Sequence, residues 1–296
     1  MESSRNSRNQ TSEYGYHYCT KTKDARPKVK RQKGGDMKLR MVRQIVFGAA
    51  VLVLAGALGA TAEEGFPIRA KFPKVEYVTT ESLYRDYQKT IIIDVRSKIE
   101  YDVIHITKAI YIPVANAMFV KELEKVRGKE GSNPMAFYCN GHTCEKSYEA
   151  VDLAMQAGFR NVYVYDAGIY DWVKAHPDKG TLMGKSPVPL DKLISQDMLT
   201  KKKINYDAFK KRAQNPAAMV VDIREPFQRH MIPQLDNIRN IPSDRFTELL
   251  KQGEFKDKEL LIMDAVGKQV QWIQYYLETN GYTNYYFLGK GVAEAR

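Results

Sequence analysis

The sequence contains few cysteines and, outside its N-terminus, little net charge. Only three of its 296 residues are cysteines (Cys19, Cys139 and Cys144), too few for a disulfide framework. Apolar residues make up 44% of the chain and charged residues 27%, the balance of a globular protein. This composition excludes wholesale disorder, a polytopic membrane protein and a coiled coil. The length leaves room for two ordinary domains.

The net charge of +11 is concentrated at one end of the chain. Residues 1–43 hold twelve Lys or Arg and four Asp or Glu, whereas residues 44–62 carry no charge. The rest of the chain, 63–296, holds 34 basic and 31 acidic side chains and is almost neutral. A nearly neutral body argues against a face that binds DNA or RNA. We therefore expect no nucleic-acid partner.

An uninterrupted apolar run at 45–59 follows three basic residues and precedes the small residues Ala60-Thr61-Ala62. These are the three parts of a secretory signal peptide. The run is shorter than the ~20 residues of a typical spanning helix, which favours cleavage over anchoring. If translation starts at Met37, the signal peptide occupies 37–62 and is cleaved between Ala62 and Glu63.

This interpretation makes residues 1–36 an over-extended or disordered N-terminus. It predicts a periplasmic or secreted protein without a stable membrane span. The alternative is a membrane anchor formed by residues 45–61 behind a basic cytoplasmic tail. Either arrangement places the body of the chain outside the cytoplasm, where thiols face an oxidising environment.

The body of the chain contains the same series of landmarks twice, at offsets of 123 to 129 residues. The first copy has D-V-R at 94–96, Y-I-P at 111–113, an apolar run at 135–138 and G-F-R-N at 158–161. The second has D-I-R at 222–224, N-I-P at 240–242, an apolar run at 260–263 and G-Y-T-N at 281–284. We interpret this pattern as a tandem duplication, with one domain at 74–180, a linker at 181–189 and a second domain at 190–296.

Within each copy, short apolar runs alternate with stretches of helical periodicity. The runs are four to six residues long and rich in β-branched or aromatic residues, as buried parallel strands are. The alternation predicts an α/β fold, in which each domain is a parallel sheet flanked by helices. The clearest helix is predicted between Thr143, which suits an N-cap, and Gly158, which suits the C-terminal end. The second copy stops too early for the last helix of the first.

The segment C-N-G-H-T-C-E-K-S at 139–147 joins a predicted strand to this helix. In a parallel sheet, ligands gather at the carboxyl ends of the strands, where Cys139 lies. The chain must curl before the helix begins, and Gly141 eases the curl. Backbone N–H groups and the helix N-terminus then favour an anion and lower the pKa of a cysteine thiol. Cys139 is therefore a candidate nucleophile.

The D-V-R strand, the apolar strand ending in cysteine, the six-residue loop and the G-F-R-N-V-Y-V-Y-D-A-G-I-Y-D-W tail resemble a rhodanese-type sulfurtransferase. The resemblance covers 74–296 as a tandem pair of rhodanese-like domains. It implies that Cys139 takes a sulfane sulfur from a donor such as thiosulfate, stores it as a persulfide and passes it to a thiol or cyanide acceptor. No cofactor is implied. The loop that would hold the persulfide and substrate consists of Asn140, Gly141, His142, Thr143, Cys144, Glu145 and Lys146.

This sequence departs from the family pattern in two places. Family members that act on thiosulfate usually carry Arg or Lys in the loop, whereas here His142 and nearby Lys146 are the only candidates, which disfavours a dianionic donor. The second copy has Asp264 at the position of Cys139. Because a carboxylate cannot carry sulfur, we expect the second domain to be catalytically inactive and to offer a surface to a periplasmic protein partner.

Two residues of the loop, Cys144 and His142, keep more than one interpretation. Cys144 is either an inert residue at the helix start or a resolving thiol that receives the sulfur or forms a disulfide with Cys139. His142 is either an ordinary loop residue or a group that binds anions or moves protons. Asp94 and Arg96 are interpreted as a structural ion pair near the pocket rim. The two cysteines and His142 have no fourth ligand, so no metal site is predicted.

Two functions are predicted from these residues, and a third is excluded. The leading prediction is a sulfurtransferase that works through a persulfide on Cys139. The alternative is a sulfur-carrier, binding or redox-sensing module that uses Cys139 and Cys144 without multiple turnover. A phosphatase would need arginine six residues after the cysteine, where this chain has Glu145, and is excluded.

Overall fold

A computed structural model of the protein describes residues 65–295. The predicted N-terminal segment 1–36 and signal peptide 37–62 lie outside the described residues. None of the helices within 65–295 combines the length and the apolar character needed to cross a membrane. Two separate parallel sheets lie in one compact unit of the chain.

The first sheet has four strands in the order β3-β1-β4-β5, and every neighbouring pair is parallel. The elements of this repeat are α1 (Thr80–Arg85), β1 (Ile91–Asp94), α2 (Lys98–Val103), β2 (Ile104–Ile106), β3 (Ile110–Tyr111), α3 (Phe119–Glu130), β4 (Met135–Tyr138), α4 (Lys146–Gln156), β5 (Val162–Tyr165), α5 (Gly168–Ala175) and β6 (Gly180–Leu182). Strands β1 and β4 are buried at every residue, because helices cover both faces of the sheet.

The second sheet has five parallel strands in the order β7-β11-β10-β8-β9. Its repeat contains α6 (Gln196–Lys202), β7 (Lys203–Ile204), α7 (Tyr206–Ala213), β8 (Ala218–Asp222), β9 (Arg239–Asn240), α8 (Ser243–Lys251), β10 (Glu259–Met263), α9 (Val270–Thr279) and β11 (Tyr285–Leu288). Four of its strands, in the order β9-β8-β10-β11, correspond in arrangement to the four strands β3-β1-β4-β5 of the first sheet. At the place of α5, this repeat has only a short 3-10 turn, Gly291–Glu294.

These two sheets confirm the predicted α/β fold with parallel sheets flanked by helices, and they fit two domains. The segment 181–189, predicted as a linker, begins within a strand. Its first two residues belong to β6, which pairs antiparallel with β2. The amide of Val188 also donates to the carbonyl of Pro177, 2.8 Å away.

The two repeats share one apolar cluster. It contains Ile169 and Trp172 from the first repeat and Phe246 and Trp272 from the second. At the boundary, the ring of Tyr170 stacks on Trp272 with centroids 6.3 Å apart. Trp172 and Trp272 are both buried.

Helix α4 begins later than the sequence predicts. Its N-cap is Glu145 rather than Thr143, because the residues from Cys139 onwards form an irregular loop before the first helical turn. Tyr148 and Val151 are buried on the inner face of the helix. Gly158 lies just after the helix with φ of +88°, the left-handed conformation that favours glycine.

Candidate active-site loop

The loop at 139–145 connects β4, a central strand of the first sheet, to the N-terminus of α4. It therefore lies at the carboxyl end of the sheet, the usual position of ligand sites in parallel α/β folds. The carbonyl of Cys139 accepts a hydrogen bond from the amide of Ile169, 3.2 Å away, which ties the start of the loop to α5.

Cys139 and Cys144 form a disulfide across the loop, with Cα atoms 6.2 Å apart. This separation lies in the ordinary range for disulfides. The two residues differ in exposure. Cys139 is 1% exposed and packs in an apolar cluster, whereas Cys144 is partly exposed at the edge of that cluster. The loop therefore brings together the two predicted cysteines, with the predicted nucleophile as the buried partner.

Asp94 and Arg96 form an ion pair at the end of β1, with 2.6 Å between Oδ2 and Nη2 and both side chains fully buried. Although burial lowers it, the carboxylate of Asp94 holds the pKa of Arg96 above its usual value. Tyr138 donates to the same carboxylate at 2.6 Å. The Nη1 of Arg96 donates to the side-chain oxygen of Asn140, 3.0 Å away. The pair is therefore structural, and it also holds the loop.

Glu100 anchors the other side of Asn140, whose Nδ2 donates to it at 2.6 Å. Glu100 also accepts from the amide and hydroxyl of Ser97. Burial raises the pKa of Glu100, but Arg96 and these hydrogen bonds together lower it by more, so the net shift of the pKa is downward. Sequence reasoning missed Glu100 as part of the site. The S-x-x-E spacing from Ser97 is a capping-box signal that places it near the end of β1.

Gly141 and Gly168 allow the loop and α5 to approach closely. Gly168 has φ of +74°, and a Cβ there would lie 2.4 Å from the amide nitrogen of Gly141. Gly291 in the second repeat has φ of +63° and would place a Cβ 2.5 Å from the amide nitrogen of Val266. Both repeats therefore require glycine where the following segment meets the loop.

His142 links the loop to two other parts of the chain. Its Nε2 lies 2.8 Å from a carboxylate oxygen of Asp171, and its Nδ1 lies 3.0 Å from the carbonyl of Gly65. Both partners are acceptors, so both contacts are hydrogen bonds only when the ring is an imidazolium. The ring also stacks on Phe66 with centroids 4.2 Å apart. No sequence signal pointed to Asp171 or to the segment at 65–72.

The remaining predicted loop residues lie nearer the solvent. Thr143 and Lys146 are exposed, and Glu145 forms an exposed ion pair with Lys71. Next to them, Arg69 pairs with the buried carboxylate of Asp166 at 2.7 Å. Residues 65–72 therefore cover one side of the loop through contacts with His142, Glu145 and Asp166.

The corresponding loop of the second repeat encloses a carboxylate. Asp264 is 1% exposed, and its two oxygens accept hydrogen bonds from four backbone amides: those of Val266 (3.1 Å), Gly267, Gln269 (2.5 Å) and Val270 (3.2 Å). Burial raises the pKa of Asp264 above its ordinary value near 3.8, while the amides act in the opposite direction. This loop backbone therefore directs four N–H donors at the side chain that follows the strand.

Counted from the residue after the strand, the amides at the same positions in the first repeat belong to Gly141, His142, Cys144 and Glu145. The loop is one residue longer here, because the helix N-cap Glu145 follows Cys139 by six residues, whereas Gln269 follows Asp264 by five. The amide of Cys144 donates to the carbonyl of Gly141 at 2.9 Å. Within residues 65–295, no acceptor is hydrogen-bonded to the other three amides. The first repeat thus has a similar but longer loop between strand and helix, with Cys139 in place of Asp264.

Across the described part of the chain, no group of three His, Cys, Asp or Glu side chains is arranged to hold a metal ion. His142 is engaged by Asp171 and Gly65, and the two cysteines are bonded to each other. The loop brings two sulfur atoms and the surrounding N–H groups together.

Comparison with known solved structures finds several similar chains. A Bacillus halodurans protein is 23% identical, covers 45% of this chain and 95% of its own, and has a TM-score of 0.33. A rhodanese-related protein from Thermoplasma volcanium is 24% identical over 34% of this chain and 92% of its own, with a TM-score of 0.28. Thiosulfate sulfurtransferase from Pseudomonas aeruginosa is 17% identical over 73% of this chain and 41% of its own, with a TM-score of 0.35.

No curated protein matches the chain. A family match does cover the first repeat. Residues 79–175, which run from the N-cap of α1 to the last residue of α5, match the family described as Rhodanese-like domain. The matched range includes the Asp94–Arg96 pair and the whole cysteine loop. Residues 79–175 of this chain are therefore a rhodanese-like domain.

Proposed function

We propose that the protein is a sulfurtransferase that carries a sulfane sulfur as a persulfide on Cys139. The thiolate of reduced Cys139 would attack the outer sulfur of a donor, and the rest of the donor would leave with the bonding electrons. An acceptor thiol or cyanide would then attack the outer sulfur of the persulfide and regenerate the Cys139 thiolate. Every step uses the chain's own thiol, and none requires a cofactor.

The observation that carries this proposal is the bound carboxylate of Asp264. Four backbone N–H groups surround a buried carboxyl group at that position in the second repeat. The first repeat has Cys139 at the equivalent position, and three of the equivalent amides have no acceptor within residues 65–295. A Cys139 thiolate or persulfide anion would find the same donors, which would lower the pKa of the sulfur acid.

The charges around the loop favour a donor with little negative charge. Glu100, Glu145, Asp166 and Asp171 lie beside the loop, and the nearby cations are largely paired with them. A doubly charged anion such as thiosulfate would meet these carboxylates without an arginine in the loop to offset them. An organic persulfide or polysulfide suits the site better than thiosulfate.

The proposal extends to the parts of the chain that flank this domain. The second domain, with Asp264 in place of the cysteine, would be inactive in sulfur transfer and would serve to dock a periplasmic protein partner. Removal of a signal peptide near Ala62 would place the mature N-terminus close to Gly65, which contacts His142. The protein would then work in the periplasm or outside the cell.

The test uses the full chain carrying Cys144→Ser, because this substitution prevents the disulfide from blocking Cys139. After reduction and incubation with an organic persulfide, intact-protein mass spectrometry should show a gain of one sulfur atom. Addition of Cys139→Ser should abolish the gain, whereas Cys19→Ser, outside the described residues, should leave it unchanged. A protein that gains no sulfur from a persulfide, a polysulfide or thiosulfate would contradict the proposal.

The disulfide favours a second candidate function, a carrier or redox sensor without turnover. Such a module would alternate between dithiol and disulfide, or would hold one sulfur until a partner removed it. Multiple turnover with excess donor and a thiol acceptor distinguishes the two functions. A sulfurtransferase forms product in large excess over protein, and a sensor or carrier stops at one equivalent.

A further inference from the structure

The two sulfur atoms of the loop are bonded but not equally accessible. The Cys139 residue is 1% exposed, whereas Cys144 is partly exposed. Residues 65–72 cover the neighbouring side of the loop through His142 and Glu145. A bulky external thiol therefore has a shorter approach to the sulfur of Cys144 than to that of Cys139. Within the described part of the chain, the thiol nearest to Cys139 is Cys144 itself.

On the basis of the proposed persulfide function, we propose that Cys144 is the resolving thiol of this loop and releases the stored sulfur as hydrosulfide when no external acceptor has taken it. The sulfur of Cys144 attacks the inner sulfur of the Cys139 persulfide, and a Cys139–Cys144 disulfide forms. The bond between the inner and outer sulfur breaks, and the outer sulfur leaves with the electron pair. It takes the proton of the Cys144 thiol and departs as HS⁻, so atoms and charge balance.

The direct bond between the two Sγ atoms supports attack on the inner sulfur. It places Cys144 within bonding reach of Cys139 Sγ, with a Cα separation that is ordinary for a disulfide. Transfer of the outer sulfur to Cys144 would instead require that the two Sγ atoms stay apart with a sulfur atom between them. The loop geometry therefore favours disulfide formation and sulfide release over transfer within the loop.

The unequal exposure also decides how the loop is reset. An external dithiol attacks the more exposed sulfur, that of Cys144, and Cys139 leaves as a thiolate that the loop amides stabilise. The second thiol of the reductant then displaces Cys144 from the mixed disulfide and closes its own disulfide. The protein returns to the dithiol, and the reductant is oxidised by two electrons. The protein therefore depends on a second reaction that regenerates a reducing dithiol.

The first experiment compares three full-length proteins, each reduced and then freed of reductant: the unmodified chain, Cys144→Ser, and the control Cys19→Ser. Each receives one equivalent of an organic persulfide. The unmodified chain and the control should release about one hydrosulfide per protein and lose two hydrogen atoms in mass, as a disulfide requires. Cys144→Ser should keep the added sulfur atom and release none.

The outcomes separate this proposal from the function on which it rests. If Cys144→Ser gains no sulfur, the persulfide function itself is wrong. If Cys144→Ser gains sulfur and the unmodified chain also retains it without release, only the resolving role is wrong. A sulfur atom located on Cys144 of the unmodified chain by peptide mass spectrometry would also overturn the proposal, because it would show transfer within the loop.

The second experiment tests the direction of reset without any sulfur donor. The oxidised full-length protein is treated briefly with glutathione, a monothiol, and quenched with acid. Peptide mass spectrometry should place the glutathione mixed disulfide on Cys144 and leave Cys139 as a free thiol. Glutathione found mainly on Cys139 would contradict the proposed attack on Cys144.

Discussion

The loop at 139–145 and the loop that begins at Asp264 occupy corresponding places in the two repeats. They differ in the residue at the strand end, which is Cys139 in the first and Asp264 in the second. Both follow a central buried strand, precede a helix and meet a glycine with positive φ in the segment that follows. In the second repeat, the carboxylate fills the ring of backbone amides. In the first, a cysteine stands at that position and is bonded to Cys144. The backbone therefore provides the anion site, and the residue at the strand end decides what chemistry takes place there.

The largest expected effect on stability comes from removing the buried arginine of either repeat. Arg96→Ala and Arg224→Ala each leave a buried aspartate, Asp94 or Asp222, without its partner. Each should lower the free energy of unfolding by about 3–5 kcal/mol, because the remaining charge is uncompensated. Chemical denaturation measures both losses.

Only Arg96 also contacts the cysteine loop, through Asn140. In the Cys144→Ser background and under conditions where each variant is folded, Arg96→Ala should therefore slow sulfur loading, and Arg224→Ala should not. An equal slowing in both variants would mean that the repeats do not act separately.

A second comparison uses pH, because two buried carboxyl groups shift in opposite directions. The folded-state pKa of Asp264 is raised, so its contribution to stability is fully present below about pH 3.8 and is lost as the pH rises through the folded value. The folded-state pKa of Glu100 is lowered from 4.5, so its contribution is present above that pH and is lost as the pH falls through the folded value.

Asp264→Asn and Glu100→Gln should each cost about 1–2 kcal/mol at the pH where the native group contributes fully. Unfolding by urea between about pH 3 and 7 should show that the cost of Asp264→Asn decreases as pH rises, whereas the cost of Glu100→Gln increases. If both costs change in the same direction with pH, the two carboxyl groups do not have opposite pKa shifts.

The smallest expected effect concerns the residue after each strand-end acid. Asn140 bonds to Arg96 and Glu100, whereas its counterpart is Ala265. Asn140→Ala should cost about 1 kcal/mol of stability and slow sulfur loading several-fold, because the loop loses two side-chain anchors. Ala265→Ser is the matched control and should leave loading unchanged. Loading at the normal rate in Asn140→Ala would show that these anchors do not position the loop.

Strand alternation and the repeated landmarks were sufficient to predict two parallel sheets, because buried strands have a strong and local sequence pattern. The position of Cys139 at a strand end followed from the same pattern. The first turn of α4 was placed too early at Thr143, since the irregular loop before it has no periodic signal. Asp171 and Phe66 escaped sequence analysis because their contacts with His142 connect distant parts of the chain.

The exposure of Cys139 could not be predicted either. A cysteine after a buried strand can turn towards solvent or towards the core, and the choice depends on how residues 65–72 and α5 close around the loop. The second repeat shows how much depends on this detail. Its strand-end side chain is equally buried, yet it makes four hydrogen bonds to the backbone around it.

The contacts of residues 65–72 have a consequence for the order of events during folding. Arg69 is 97 residues away from its partner Asp166, so this segment leaves the ribosome long before the residues that it binds. Because closure of a long chain loop has a large entropy cost, the segment should dock late, after the first sheet has formed. Until the segment docks, Cys139 and Cys144 would be exposed to solvent. The redox conditions at that stage of folding would determine whether the folded protein first contains the dithiol or the disulfide.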